Sequence, residues 1–377
     1  MMRLPDIVAW WESLGRPLRR LPRWAAALAL ALTVIACIWS VQAEHSYGRA
    51  AEAENAKKLA KGARRDFDLY LAIDERVAAG ENYYAAALDE HRRSRFPTTP
   101  FVTVRPPTLA MSSTVLGLPG LRVLAALLWA TTAVGIYFAI KGRVSRVEAI
   151  GAFLATLGVG AVALIRQVGL SQEIMAGLFV SASLATWRRE RWWPSFLLAC
   201  AGLAIRELAL PYFLLWGALA MQQRRWGEVL AVAGAVLLFA VGMAFHAQAV
   251  IAHRLPGDLV SDGWGAMQGL DLALHGIVLV TVFNALPDWL GAPLAVLSLL
   301  GWFGLGGRLG LTASLWFAGF IVLVALVARI DNFYWLALLV PAYGAGLALA
   351  PRAIADLVAA TRGRRDPLPD AAAAGSP

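Results

Sequence analysis

Long apolar runs recur along this 377-residue chain, and short arginine-rich connections separate several of them. A bilayer core requires a helix of about 20 apolar residues, and the first run of that length extends roughly from Trp24 to Ala43. Only 16% of the residues are charged and 59% are hydrophobic, whereas a soluble domain carries about 25% charged residues. The sequence therefore predicts an all-α polytopic membrane protein.

The apolar runs and the basic connections together predict a topology. With the first run, the later ones predict about ten spanning helices; they lie at 122–140, 149–165, 173–187, 195–205, 208–222, 228–245, 289–305, 311–328 and 333–350. Arginines cluster in the connections after 140, 187, 222 and 305 and in the tail, so the positive-inside rule places both termini in the cytoplasm. Residues 195–222 lie between two such clusters, which predicts two short helices that meet at Arg206-Glu207.

This pattern divides the chain into three parts. Residues 1–23 mix tryptophans with arginines, as is typical of an amphipathic segment on the cytoplasmic surface. Residues 24–350 form the transmembrane domain, with a long first outer loop at 45–119 and a second outer loop at 246–288 that holds a partly embedded helix. Residues 351–377 form a basic cytoplasmic tail that is predicted to be partly disordered.

The first outer loop is the longest polar stretch. It contains Asp66-Phe-Asp68-Leu-Tyr70, then Gly80, and later Arg105-Pro-Pro. Asp66 predicts the start of a helix that Gly80 ends. Because Asp66 and Asp68 are two residues apart, they point to different sides of that helix, so at most one of them faces a reacting centre.

Ionisable residues outside the basic connections map to the outer ends of helices or to the outer loops. Arginine holds phosphate oxygens through paired hydrogen bonds, and a carboxylate can act as a general base on a hydroxyl. A site for a lipid-linked sugar phosphate needs both groups. The alternative is that single arginines merely mark the membrane interface; it is weakest for Arg206, whose charge interrupts an apolar run. The outer set comprises Asp66, Asp68, Arg105, Arg166, Arg206, Glu207, His253, Arg254, Asp258, Asp262, Arg329 and Asp331.

The order of these motifs resembles the GT-C glycosyltransferases, which use polyprenyl-phosphate sugars and include the protein mannosyltransferases and the lipid A aminoarabinose transferase. That family opens its first outer loop with Asp-Glu-x-x-Tyr and a later Gly, where this chain has Asp66-Phe-Asp68-Leu-Tyr70 and Gly80. Arg105-Pro-Pro-Thr-Leu stands where the family has a Lys-Pro-Pro-Leu-like element. The resemblance implies that Asp66, or else Asp68, acts as the catalytic base and that Arg105 lies near the donor phosphate.

The sequence hypothesis is an inverting glycosyltransferase of an inner (plasma) membrane, acting on the extracytoplasmic face. Its donor is a polyprenyl-phosphate sugar, and its acceptor is left open as a lipid, glycan or protein. Arg206 and Arg329 join Arg105 as phosphate ligands. A lipid or polysaccharide transporter or flippase and a non-catalytic membrane subunit remain alternatives. Candidates for lining the acceptor side are Glu207, Arg254, Asp258, Asp331 and Tyr334.

Neither a metal site nor a nucleic-acid partner is indicated. None of the five histidines has metal-ligand spacing, and both cysteines fall in apolar runs. No cofactor is therefore predicted, and a need for a divalent cation stays open because no motif bears on it. The net charge of +9 lies largely in the basic connections, so membrane topology explains it better than a nucleic-acid surface does.

Overall fold

The computed structural model describes residues 6–60, 66–261, 263 and 267–363. The regular structure in these residues is helical, apart from an isolated β-bridge between Thr99 and Val260. Beside shorter 3₁₀ turns, a 3₁₀ segment extends over Ile330–Leu339. The α-helices are α1 (Ile7–Leu14), α2 (Arg23–Ala60), α3 (Asp66–Ala78), α4 (Tyr83–Arg93), α5 (Thr108–Ile140), α6 (Arg146–Val159), α7 (Gln172–Thr186), α8 (Trp193–Ile205), α9 (Leu210–Gln222), α10 (Trp226–Ala252), α11 (Gly269–Leu279), α12 (Asp288–Gly304), α13 (Gly307–Val327) and α14 (Ala345–Thr361).

The prediction of a helical, multi-pass membrane protein is confirmed. Six helical stretches of the described chain are long and apolar enough to cross a bilayer, whereas α8, α11 and α12 are apolar but shorter. The count of about ten spans stays a prediction. The six stretches are Arg23–Arg49, Phe101–Ile140, Arg146–Leu164, Trp226–Ala252, Gly307–Val327 and Ala342–Thr361.

Helix α7 lies at the centre of the bundle. It is buried along almost its whole length and packs against α5, α8 and the 3₁₀ segment. Gly177 permits the contact with that segment, because a Cβ there would lie 2.4 Å from the carbonyl oxygen of Ala337. Close approach of backbones through small residues is a common way to pack helices in a membrane. Because α7 is central, its first turn lies in the candidate site.

The predicted pair of short helices is confirmed as α8 and α9, which meet at Arg206 and Glu207. Both helices carry a proline in their first turn, where the missing N–H leaves no hydrogen bond unmade. Arg206 is extended and ends α8, and its side chain is fully buried. The charged side chain of Arg206, at the connection between the two helices, therefore lies inside the protein rather than in solvent.

The basic connections gather at one end of the bundle, which we call the basic end. Arg352 donates to the carbonyl of Arg143 at 3.0 Å, and Arg225 donates to that of Arg189 at 2.6 Å. The N-terminal segment lies at the same end, because Arg16 Nε donates to Asp356 of α14 at 3.1 Å. The predicted grouping of these connections with the segment around Arg16 and with α14 is thus observed within the described residues. The side of the membrane that this end faces stays a prediction.

Several predicted boundaries shift because helices continue past the apolar runs. Helix α2 extends into the first outer loop from one side, and α5 extends into it from the other, with a break at Gly117 (φ 65°) two residues before Pro119. The boundary at 119 therefore falls inside α5. Likewise, α10 continues through Ala252, past the predicted start of the second outer loop at 246.

The last predicted span, at 333–350, is divided. Its first part lies in the 3₁₀ segment, and its second part lies in α14, which continues to Thr361. Pro341 stands between the two parts, where its ring and missing N–H disfavour a continuous helix. The predicted tail at 351–377 thus begins inside a helix, and residues 364–377 lie outside the described residues.

Candidate functional site

Two arginines and two glutamates meet at the end of the bundle opposite the basic end. Arg105 precedes α5, Glu173 lies in the first turn of α7, and Arg206 and Glu207 join α8 to α9. We call these four residues the arginine–glutamate cluster. Three separate regions of the sequence supply these four residues, so the cluster depends on the tertiary fold.

Glu173 and Arg206 form the buried centre of this cluster. Arg206 Nε lies 2.7 Å from Glu173 Oε1, and the two side chains are 1% and 6% exposed. Arg206 also pairs with Glu207, whose side chain is 20% exposed. A buried guanidinium requires such compensation, because an unpaired charge in the interior costs several kcal/mol or more. Arg206 is therefore fixed by carboxylates on two sides.

Arg105 is held mainly by neutral groups. Its guanidinium donates to the hydroxyls of Tyr70 and Tyr334, each at 3.2 Å, while Glu173 Oε1 lies 3.7 Å from Nη2. Its carbonyl accepts a hydrogen bond from Tyr83 at 2.6 Å. These contacts tie Arg105 to α3, α4 and the 3₁₀ segment. A cation held by hydroxyls retains more capacity for an incoming anion than one in close bidentate contact with a carboxylate.

Asp66 lies close enough to this arrangement to act electrostatically on Tyr70 and Tyr334. Asp66 is an exposed residue in the first turn of α3, the helix that also carries Tyr70. Burial raises the pKa of Tyr70, the charge of Arg105 lowers that pKa, and the carboxylates of Asp66 and Glu173 raise it further. The same two carboxylates act electrostatically on Tyr334. Asp68, two residues further along α3, is exposed as well.

Arg329 and Asp331 lie at the start of the 3₁₀ segment, and both are half-buried. The backbone N–H of Arg329 donates to Asn332 at 3.2 Å, and Asn332 donates in turn to the hydroxyl of Tyr334 at 3.5 Å. Because Tyr334 accepts from Arg105, this segment adjoins the arginine–glutamate cluster. The structure thus brings Arg105, Arg206, Glu207 and Tyr334 together and places the start of the segment next to them.

Arg254 and Asp258 belong to a different network. Arg254 donates twice to the carbonyl of Thr98, at 3.2 and 2.9 Å, and Asp258 accepts from Arg92 Nε at 2.7 Å. Hydrogen bonding to Arg92 lowers the pKa of Asp258 to about 2. Thr98 also donates to Asp258 through its hydroxyl at 3.2 Å. These residues fasten the second outer loop to the first one.

Sequence reasoning missed Glu173 and Asp74. Glu173 opens an apolar run, and a charged residue at the edge of a buried helix is the signal that would have selected it. Asp74 lies on α3 near Ser113 of α5, and burial raises the pKa of Asp74 to about 6. Among the described residues, no group of three or more His, Cys, Asp or Glu is placed to hold a metal ion.

Comparisons with protein-family models, curated proteins and solved structures found no match to this chain.

Proposed function

We propose that this chain is a membrane glycosyltransferase that moves a sugar from a polyprenyl-phosphate donor to an acceptor outside the cytoplasm. The observation that carries this proposal is the convergence of Arg105 and Arg206 on Glu173, beside the helix turn that bears Asp66. Sugar transfer from a lipid phosphate requires cations that bind the phosphate and a carboxylate that acts as a base. Both kinds of group lie at this end of the apolar bundle.

In the proposed reaction, Arg105 binds the donor phosphate with the hydroxyls of Tyr70 and Tyr334 beside it. The Asp66 carboxylate removes the proton from the acceptor hydroxyl while that oxygen attacks the anomeric carbon. The bond from the anomeric carbon to the phosphate oxygen breaks, and the electron pair leaves with the polyprenyl phosphate. Attack opposite the leaving group inverts the anomeric centre. Arg206 stabilises the charge that develops on the phosphate.

The proposed orientation follows from the arginine distribution. The positive-inside rule assigns the basic end to the cytoplasm and hence the arginine–glutamate cluster to the outer face of an inner (plasma) membrane. Both termini then lie in the cytoplasm, in keeping with the contact of Arg16 with Asp356. The hydrogen bonds of Arg254 and Asp258 hold the second outer loop against the first and thereby shape the acceptor side.

Two experiments test this function. Purified full-length protein in a neutral detergent is incubated with polyprenyl phosphate, and lipid retention is measured by native mass spectrometry for wild type, Arg105→Gln and Arg166→Gln. Arg166 is an exposed outer arginine and serves as the matched control. We expect Arg105→Gln to reduce retention about tenfold or more, as loss of a charge-assisted hydrogen bond requires, and Arg166→Gln to leave it unchanged.

The second experiment measures release of polyprenyl phosphate from labelled polyprenyl-phosphate sugars in proteoliposomes. Asp66→Asn should abolish release, whereas Asp68→Asn on the same exposed turn should retain it. If Asp66→Asn stays active and Asp68→Asn does not, Asp68 is the base. Equal retention of polyprenyl phosphate and ordinary phospholipids by wild type would refute the donor site, and movement of intact donor across the bilayer would favour the transporter alternative.

A further inference from the structure

A small cavity at the basic end has no part in the proposed transfer. Its volume is ≈ 40 Å³, and it lies between the end of α7, the α9 helix and the start of α13. By this measure one water needs about 10–15 Å³, so the cavity has room for about three waters. The free oxygens of one phosphate group occupy a comparable space. The residues that matter for its chemistry are Trp187, Arg188, Tyr212, Arg308 and Thr312.

Two polar atoms beside this cavity have no protein partner in the described part of the chain. They are the indole Nε1 of Trp187 and the hydroxyl Oγ1 of Thr312, and both atoms are shielded from solvent. An indole N–H only donates, and a threonine hydroxyl donates or accepts. Buried polar groups in proteins are nearly always hydrogen-bonded. The pair therefore calls for a ligand that accepts hydrogen bonds inside the cavity.

The charge around the cavity is positive. Arg308 lies 3.8 Å from the ring of Trp187, and its Nη2 is 3.7 Å from the buried carboxylate of Glu228. Arg225 pairs with the same carboxylate, which also accepts from Trp216 at 2.5 Å. Arg188 uses one nitrogen on carbonyls of its own turn and is otherwise exposed. Arg225 and Arg308 thus share the Glu228 carboxylate, and Arg188 adds a third positive charge beside the cavity. The weaker field of Glu12 at Arg308 reduces this positive surplus without cancelling it.

We infer that this cavity binds a phosphate group, with Arg188, Arg308, Trp187 and Thr312 as its ligands. Trp187 and Thr312 donate to phosphate oxygens, and the two arginines supply the charge. The remaining lining is apolar and aromatic, including Leu184, Leu219 and Leu309. Such a lining suits a phosphate carried by a lipid, and soluble phosphate shares the same chemistry. This site is separate from the arginine–glutamate cluster and does not rest on the proposed transferase activity.

The test uses the full chain in neutral detergent and native mass spectrometry. The probes are phosphatidic acid, phosphatidylcholine with the same acyl chains, and inorganic phosphate. We expect wild type to retain phosphatidic acid over phosphatidylcholine. Arg188→Gln should reduce that retention about tenfold, because it removes a positive charge as well as hydrogen-bond donors, and Thr312→Val about threefold, because it removes one hydroxyl donor.

Two controls separate this site from general charge effects. Arg189→Gln makes the same change at the neighbouring residue, which does not line the cavity, and Arg166→Gln removes an exposed arginine that lines neither site; both should retain phosphatidic acid as wild type does. Retention of inorganic phosphate alone, lost in Arg188→Gln and Thr312→Val, would support the site with a soluble source. Equal retention of both lipids together with no retained phosphate, or equal effects of Arg188→Gln and Arg189→Gln, would overturn the inference.

Discussion

The replacement Glu173→Gln tests the physical basis of the arginine–glutamate cluster. Removing one partner of a buried ion pair costs about 3–5 kcal/mol, because the remaining charge is left uncompensated in the interior. Arg206 is 1% exposed, but it keeps Glu207 as a second partner. We therefore expect the loss to lie at the lower limit, about 3 kcal/mol of unfolding free energy. Because Glu173 also faces Arg105 at 3.7 Å, this value includes a smaller contribution from that pair.

The assay is tryptophan fluorescence during titration of the detergent-solubilised protein with a denaturing detergent, for Glu173→Gln, Arg206→Gln and the double variant. Replacing both partners removes the buried charges together, so the double variant should be more stable than the sum of the single losses predicts. Glu81→Gln is the control, because Glu81 pairs with Arg76 at the surface and should change little. The reasoning would be refuted if Glu173→Gln were as stable as wild type, or if the stability loss of the double variant equalled the sum of the two single losses.

Three further predictions concern stability and the outer loops. Burial raises the pKa of Asp74 to about 6, above its unfolded value of about 3.9. Ionisation of Asp74 therefore destabilises the folded protein as the pH rises from about 3.9 to about 6. Asp74→Asn should raise the melting temperature at pH 8 and leave it unchanged at pH 3.5. Gly301→Ala should unfold or deplete the protein in a fluorescence-monitored size-exclusion assay, because its Cβ would lie 1.8 Å from the carbonyl oxygen of Gly346, whereas Gly234→Ala meets no atom within 4 Å and should be tolerated. Asp258→Asn should increase deuterium exchange at 253–261 several-fold without changing exchange in α13, since it removes the negative charge and one of the two oxygens that accept from Arg92.

The features that follow from hydrophobic length and local chain chemistry could be predicted from the sequence. The apolar runs and their basic connections gave the membrane class and the common end of the connections. The helix after Asp66 was expected because a capping residue and a later glycine bound it, and Gly80 has the positive φ of 93° that such an end uses. These features depend on residues that are close in the sequence, so they can be predicted without knowing the tertiary structure.

The features that depend on which helices touch could not be predicted in the same way. Arg105 and Arg206 were selected singly, but their common partner Glu173 is brought to them by the burial of α7, which no local pattern reveals. Arg254 and Asp258 were selected by charge alone, and the structure shows that their partners lie in the first loop. The division of the last apolar run was missed because hydropathy does not register the backbone effect of Pro341.

The contact between Arg16 and Asp356 has a consequence for the order in which the protein is made. The two residues are 340 positions apart, so a ribosome delivers the arginine long before its partner. Asp356 is fully buried in the finished protein and takes its charge compensation from Arg16 and Arg19. The ion pair between Arg16 and Asp356 therefore forms only after α14 has been synthesised, so this charge compensation is a late step in assembly of the bundle.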